Sequence, residues 1–254
     1  MCLEYSEQRQ VVLFRWGYED MKDLKLHPWK VSTREAVQIQ TALREQIDLH
    51  DSFDTVRVIA GADVAFDKQK NEGYGGVITY SFPDLEEIER RGVKAEIPFP
   101  YVPGLLAFRE APILLKAFAS LGTEPDVVLF DGQGLAHFRR MGIATHMGIV
   151  LNKPTIGCAK SRLIGTFDEP GADVGSYSPL MDGRETVGVV LRTRKRVKPI
   201  FISPGTNISL KTCISIVLTC VDGYRIPKPT READRYVACI KKGSAGVKNK
   251  LPSW

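Results

Sequence analysis

Three acidic residues of this chain lie in apolar surroundings where a lone carboxylate is costly. Asp63 lies inside VIAGADVAF, Asp131 ends the run VVLF, and Glu110 interrupts LLAFREAP. A carboxylate so placed must be hydrogen-bonded, neutralised or bound to a cation. Taken singly, two of them have a plainer reading: Asp63 ties down a turn, and Glu110 is a surface acid beside Arg109. Gathered on adjacent elements, they would form the oxygen ligand set that suits Mg²⁺ or Mn²⁺. Neighbouring carboxylates repel, so one would hold its proton unless a divalent ion intervened. Such an ion polarises a phosphoryl oxygen and generates a nucleophilic hydroxide.

Other reactive groups stand near these acids. Gly132 and Gly134 follow Asp131 and, lacking a Cβ, let backbone approach a ligand closely. His137 is the one histidine adjoining a candidate acid; its plainer reading is a loop residue facing solvent. The four histidines, His27, His50, His137 and His146, are too sparse for a histidine-based zinc site, and His146 reads as a helix-face residue. Lys160 ends the apolar run PTIGCAK as Asp131 ends its own, which puts an ammonium at the same rim or leaves a snorkelling strand-end lysine. In PFPYVPG, Tyr101 sits in a stiff proline loop able to press against bases, or the loop is a structural corner. In LRTRKRVK, Arg192, Arg194, Arg196 and Lys198 share one face if extended; a solvated hairpin tip is the commoner reading.

The elements that must carry these groups follow from periodicity. Residues 33 to 47 place Ala36, Ile39, Leu43 and Ile47 on one helical face behind a Ser32 or Thr33 cap. Runs at 55–66, 73–82 and 86–97, split by short turn-prone links, predict an antiparallel meander. A helix follows PFPYVPG, with Pro112 in its first turn or at a kink. A buried strand at 126–132, a helix at 141–152 and a strand at 154–160 imply parallel strands with helical crossovers. Strands at 184–193 and 198–203 and a helix from about Ser209 to Cys220 complete the reading. The fold class is α/β: a ribonuclease-H-like mixed sheet, antiparallel meander plus parallel strands, flanked by helices. If the first meander strand neighbours the strand ending at Asp131, then Asp63 and Asp131 lie side by side, with Glu110 reaching them from the helix between.

Bulk properties agree with this. The 254 residues are 43% hydrophobic, enough for one large domain or two small ones. Lys and Arg exceed Asp and Glu by 35 to 30, a mild excess that suits a polyanionic partner without requiring one. Five cysteines with no Cys-x-x-Cys pair argue against a disulfide framework and a zinc site, and no signal peptide or membrane span is evident. The expectation is a soluble cytoplasmic monomer: an N-terminal extension at 1–26, a catalytic domain at 27–240, and a basic, disordered tail at 241–254.

The ordered set GADVAF, PYVPGLLAFREAP, LFDGQGLAHFRRMGIATHMG, KPTIGCAKSRL, LRTR…KPIFISPG and PKPTREADR resembles the endonuclease V family, from about His27 to Tyr236. That resemblance implies a Mg²⁺-dependent nuclease, with Mn²⁺ able to substitute, acting on DNA that contains deoxyinosine. It implies a cut at the second phosphodiester 3′ to the hypoxanthine, leaving 3′-hydroxyl and 5′-phosphate ends. By motif, Asp63, Glu110 and Asp131 are the metal-binding carboxylates, with Asp234 of PTREAD a fourth acid. His137 and Lys160 match the family's active-site histidine and lysine. Tyr101, with Pro100 beside it, matches the strand-separating wedge, and Gly132, Gly142 and Ile143 line the pocket for the extruded base.

Two departures stand out: Thr206 replaces a usual histidine in SPGTNISL, and about 25 residues precede HPW, with Met21 an alternative start. Three rival functions remain at this stage. They are an endoribonuclease for inosine in single-stranded RNA, a non-catalytic binder of damaged or branched nucleic acid, and a junction resolvase.

Overall fold

The structure, a computed structural model, describes residues 26–243. The expected extension up to residue 25, Met21 included, and the tail from residue 244 lie outside the described residues.

Helix α1 (Thr33–Leu43) opens on a capping box: the Glu35 N–H donates to the Ser32 hydroxyl while the Glu35 carboxylate accepts the Ser32 N–H. The helix stops at Leu43, earlier than the expected 47, and passes through a 3-10 turn to an extended Ile47. Its buried face is Ala36, Gln40 and Leu43.

Strands β1 (Val58–Asp67), β2 (Glu72–Ser81) and β3 (Glu87–Glu96) form the expected antiparallel meander. Helix α2 (Leu106–Ala119) then leads to β4 (Val127–Phe130), and α3 (Ile143–Leu151) to β5 (Thr155–Ala159). Both new strands run parallel to β1. Strands β6 (Tyr177–Asp182), β7 (Glu185–Leu191) and β8 (Ile200–Pro204) extend the sheet antiparallel from β5. The order β3-β2-β1-β4-β5-β8-β7-β6 begins with the ribonuclease-H-like arrangement that the sequence predicts. Strand β6 is an addition: Pro179 disguises YSPLMD, and an edge strand is where such a proline is tolerated.

Helices cover both faces of the sheet, as alternation along its strands requires. Ala60, Ala62, Val128 and Phe130 pack against α2 and α3, whereas Ile59, Val127, Leu129 and Ile156 share a core with Ile216, Val217 and Tyr236. Those last three belong to α4 (Leu210–Thr219) and α5 (Lys228–Lys241). Each fully buried Phe or Leu side chain contributes roughly 1.5–3 kcal/mol.

Helix α5 has no counterpart in the sequence reading. Its buried residues, Pro229, Thr230, Ala233, Tyr236 and Val237, keep a helical period, but they begin with a proline, a threonine and an alanine that do not register as an apolar stripe. Prolines at its start are compatible with a first helical turn. Gly61 lets the helix lie directly on β1, because a Cβ there would stand 2.0 Å from the Pro229 carbonyl oxygen.

Three further placements bear on the sequence-based expectations. Pro112 is the seventh residue of α2, beyond the first turn, and offers no N–H to the Phe108 carbonyl. Residues 192–199 form the turn between β7 and β8, with Lys195 and Arg196 exposed, as the commoner reading of LRTRKRVK has it. There Arg192 is buried and donates to Glu169 and to the carbonyls of Pro170, Gly171 and Val197. His146 is fully buried among Trp29, Phe108 and His27, its Nε2 2.7 Å from His27 Nε2. Since His27 Nδ1 faces the Pro28 carbonyl at 3.0 Å, it carries the proton, and His146 Nε2–H donates to His27. Burial, then the charges of His27 and His137, lowers the His146 pKa to about 3.

No described helix is long and apolar enough to cross a membrane.

Candidate active site

The parallel pairing of β1 and β4 brings the first two acids together. Ala62 pairs with Phe130, so the next residues, Asp63 and Asp131, stand side by side at the end of the β4 strand. In sheets of this kind ligands gather at the carboxyl ends of parallel strands. Asp63 points to the same face as Gly61, where α5 crosses and supplies Asp234. One carboxylate oxygen from each of Asp63, Asp131 and Asp234 lies within 4.8 Å of the others. Asp234, the fourth acid of the sequence reading, is therefore a member of the tight group. Glu110 is not, although it is close enough for Asp63 and Asp131 to act on it electrostatically.

Crowding shows in the protonation of these acids. Burial first, then the charges of Asp131 and Asp234, raises the Asp63 pKa to about 7, against a hydrogen bond from the Val64 N–H. Burial pushes Glu110 well above the usual carboxylate range, and Asp63 and Asp131 push it further. Lys160, just beyond β5, spans two of the acids, 2.5 Å from Asp131 and 3.3 Å from Asp234. Burial works against its charge, yet the Asp131 hydrogen bond and both carboxylates outweigh it, and the ammonium pKa rises.

Beside the acids opens a cavity of ≈ 400 Å³. Asp131, Lys160, His137, Tyr101, Gly132, Gly142 and Ile143 all line it. Gly142 permits its tight wall, since a Cβ there would meet the Gln133 carbonyl oxygen at 2.1 Å. Tyr101 stands at the rim, 68% exposed. Pro100 is apart, lining a second hollow with Phe99 and Arg109.

His137 shares the cavity with Asp131, but one of its ring nitrogens serves the proline loop and the other its own turn. Nδ1 accepts the Arg139 N–H at 3.2 Å, so the proton is on Nε2, which donates to the Gly104 carbonyl at 3.1 Å. Burial, then the neighbouring Arg139 charge, lowers its pKa to about 4, so the ring is neutral near pH 7.

Two supporting side chains escaped the sequence reading. Arg225 donates to the carbonyls of Lys160 at 2.7 Å, Lys198 at 2.8 Å and Pro199 at 2.9 Å, which anchors the end of β5 where Lys160 begins. Buried Gln40 donates to the Met141 carbonyl and accepts from Arg139 Nε, and Arg139 Nη2 donates to Gly104. A polar residue inside the apolar stripe of α1 was the available signal for Gln40. Thr206 plays no part here: its carbonyl accepts from Thr155 at the opposite end of β5, and its hydroxyl accepts the Asp48 N–H at 3.0 Å.

A ribonuclease-H-like sheet with acids crowded at the ends of its central strands fits the class of metal-dependent nucleases. Comparison with known proteins narrows it. The family model of endonuclease V matches residues 41–235. An endonuclease V of Nostoc sp. is 47% identical over 210 residues, 82% of this chain and 95% of the relative. One of Dehalococcoides mccartyi is 44% identical over 84% of this chain and 96% of its own. Among solved structures, Streptomyces avermitilis endonuclease V has a TM-score of 0.81 at 36% identity, covering 85% of this chain and 96% of that one. Ciona intestinalis endonuclease V, solved with a 24mer DNA containing an inosine followed by a ribo-adenosine, has a TM-score of 0.74 at 29% identity, covering 83% and 98%. The chain belongs to the endonuclease V family, and is a nuclease.

Proposed function

We propose that this protein nicks DNA containing deoxyinosine at the second phosphodiester 3′ to the altered base, using Mg²⁺ and leaving 3′-hydroxyl and 5′-phosphate ends. The observation that carries the reading is the group of Asp63, Asp131 and Asp234 beside a cavity rimmed by Tyr101. The inosine-containing DNA held by the Ciona intestinalis relative supports the choice of substrate.

The donor set fits a hard divalent ion. Three carboxylate oxygens within 4.8 Å of one another, one of them on an acid whose pKa is about 7, need a cation to be ionised together. Asp63, Asp131 and Asp234 would hold it, with Glu110 behind them. Mg²⁺, or Mn²⁺ in its place, supplies Lewis acidity toward the phosphoryl oxygen and a water activated for attack.

The remaining groups act on the substrate. Lys160 offsets charge that develops on the scissile phosphate, beside the carboxylates that orient it. Tyr101 fills the gap that opens when a base leaves the stack, and Gly132, Gly142 and Ile143 form walls for that base. Hypoxanthine offers O6 as acceptor and N1–H as donor, a pattern that adenine reverses. His137 acts as a positioning residue, its neutral Nε2–H holding the loop that carries Tyr101 through Gly104.

The reading is tested with one end-labelled duplex containing a single deoxyinosine and its adenine twin, incubated with Mg²⁺ or EDTA. Cleavage of the first, in Mg²⁺ alone, is expected; equal cleavage of both, or cleavage in EDTA, contradicts it. An Asp131→Ala protein should bind the duplex without cutting.

A further inference from the structure

We propose that Phe138 is a second stacking surface for the substrate, taking the face of an unstacked base next to the one turned into the cavity. This rests on the nuclease reading above and adds a contact to it.

Phe138 is 58% exposed, and single exposed apolar side chains are ordinary, so exposure alone carries nothing. What distinguishes this ring is the rigidity of the turn that presents it. The Arg140 N–H donates to the His137 carbonyl at 2.9 Å, closing a turn with Phe138 and Arg139 at its corners. His137 holds Gly104; Arg139 holds Gln40 at 2.7 Å and Gly104 at 2.8 Å; Arg140 holds Asp182 at 2.7 Å and Glu185 at 2.9 Å. Every neighbouring side chain of the turn is tied inward, and Phe138 alone projects into water.

Its place is beside the cavity, next to a residue of its wall. A Cβ on Gly104, which lines the cavity, would stand 3.6 Å from the Phe138 ring. Tyr101 at 68% and Leu163 at 40% are also exposed, and both line the same cavity. Two exposed apolar side chains thus line a cavity whose walls include Asp131 and Lys160, and Phe138 stands beside a third lining residue, Gly104.

Charge favours a nucleic acid over an apolar protein surface as the occupant. Among the described residues the Arg139 guanidinium bonds only neutral oxygen atoms, of Gln40 and Gly104, so its positive charge is left for a phosphate backbone. A ring already fixed on a rigid turn loses little freedom when a base stacks on it. Base–aromatic stacking tolerates any sequence, which suits a contact with bases flanking the lesion.

The experiment compares wild type with Phe138→Ala, Phe138→Leu and Phe138→Trp on a duplex carrying one deoxyinosine. Binding is also read by fluorescence anisotropy in EDTA. The Ala and Leu proteins should raise KM and Kd about tenfold, the scale of one lost stack, with kcat held within about twofold. The Trp protein should restore both, which separates a ring face from mere apolar bulk. Wild-type affinity in both Ala and Leu proteins overturns the proposal, as does a dimer that Phe138→Ala dissociates, which would put a second copy on the ring. If wild type binds the duplex but cuts nothing, the nuclease reading fails while the anisotropy arm still decides the role of Phe138.

Discussion

The Lys160 ammonium stands 2.5 Å from Asp131 and 3.3 Å from Asp234, so one side chain bridges two acids carried by a strand end and a helix on different parts of the chain. In metal-free protein this lysine balances part of the charge that a divalent cation would balance when bound. Its two tasks, neutralising acids and meeting a phosphate, separate on mutation.

Lys160→Met should lower kcat on a deoxyinosine duplex by about 10²-fold or more, the scale for removing one group that stabilises developing charge. Its melting temperature in EDTA should fall, and the gain on adding Mg²⁺ should exceed that of wild type. A variant that melts as wild type in both buffers contradicts this role for the lysine.

Asp63→Asn tests the cost of crowding. With its folded pKa raised to about 7, metal-free Asp63 contributes stability below pH 3.8 that is lost as pH rises through about 7. The Asn protein should therefore melt higher at pH 8 in EDTA, by roughly 2–4 °C for each kcal/mol recovered. It should lose both nicking and the Mg²⁺-dependent rise in melting temperature. Lower stability in EDTA would show that ionised Asp63 is compensated in the metal-free protein.

His146 supplies a pH dependence of opposite sign. Its folded pKa of about 3 lies below 6.5, so the unfolded chain binds the proton more readily, and stability falls as pH drops below 6.5. The limiting loss is about 1.4 kcal/mol per pH unit. Denaturant titrations at pH 7, 6 and 5 should give His146→Met a shallower acid decline than wild type by up to that slope. Parallel declines would exclude His146 as the source.

Gly61→Ala should destabilise by about 3 kcal/mol, at the upper end of overpacking costs, because the new methyl meets backbone of α5 and not a mobile side chain. Displacing α5 moves Asp234, so nicking should fall with stability. Gly122→Ala, whose Cβ would come no nearer than 3.7 Å to the Glu89 carboxylate, is the neutral control. Equal melting temperatures for the two variants would refute the close approach.

Much of this arrangement was legible in the chain. Strand β4 is a solid apolar run, and VIAGADVAF is apolar on both sides of its acid, so Asp63 and Asp131 stood out as acids against apolar backgrounds. Helix α5 did not, because the residues opening its buried face are small or polar and its prolines resemble a loop. The partnership of Asp234 with Asp63 and Asp131 depends on that helix crossing Gly61, a contact between residues far apart in sequence. His146 lies on a helix face as its sequence suggests, but its burial and partner were not legible, because His27 lies 119 residues away and α3 is buried on nearly every side.

Mapping the cut shows whether the acids beside the Tyr101-rimmed cavity cleave a fixed distance from an extruded base. A duplex with one deoxyinosine, labelled at its 5′ end and digested in Mg²⁺, is run beside a sequence ladder. A single product ending in a 3′-hydroxyl at the second phosphodiester 3′ to the deoxyinosine is expected, absent with Asp131→Ala. Cuts scattered along the strand, or products that ignore the position of the deoxyinosine, would contradict it.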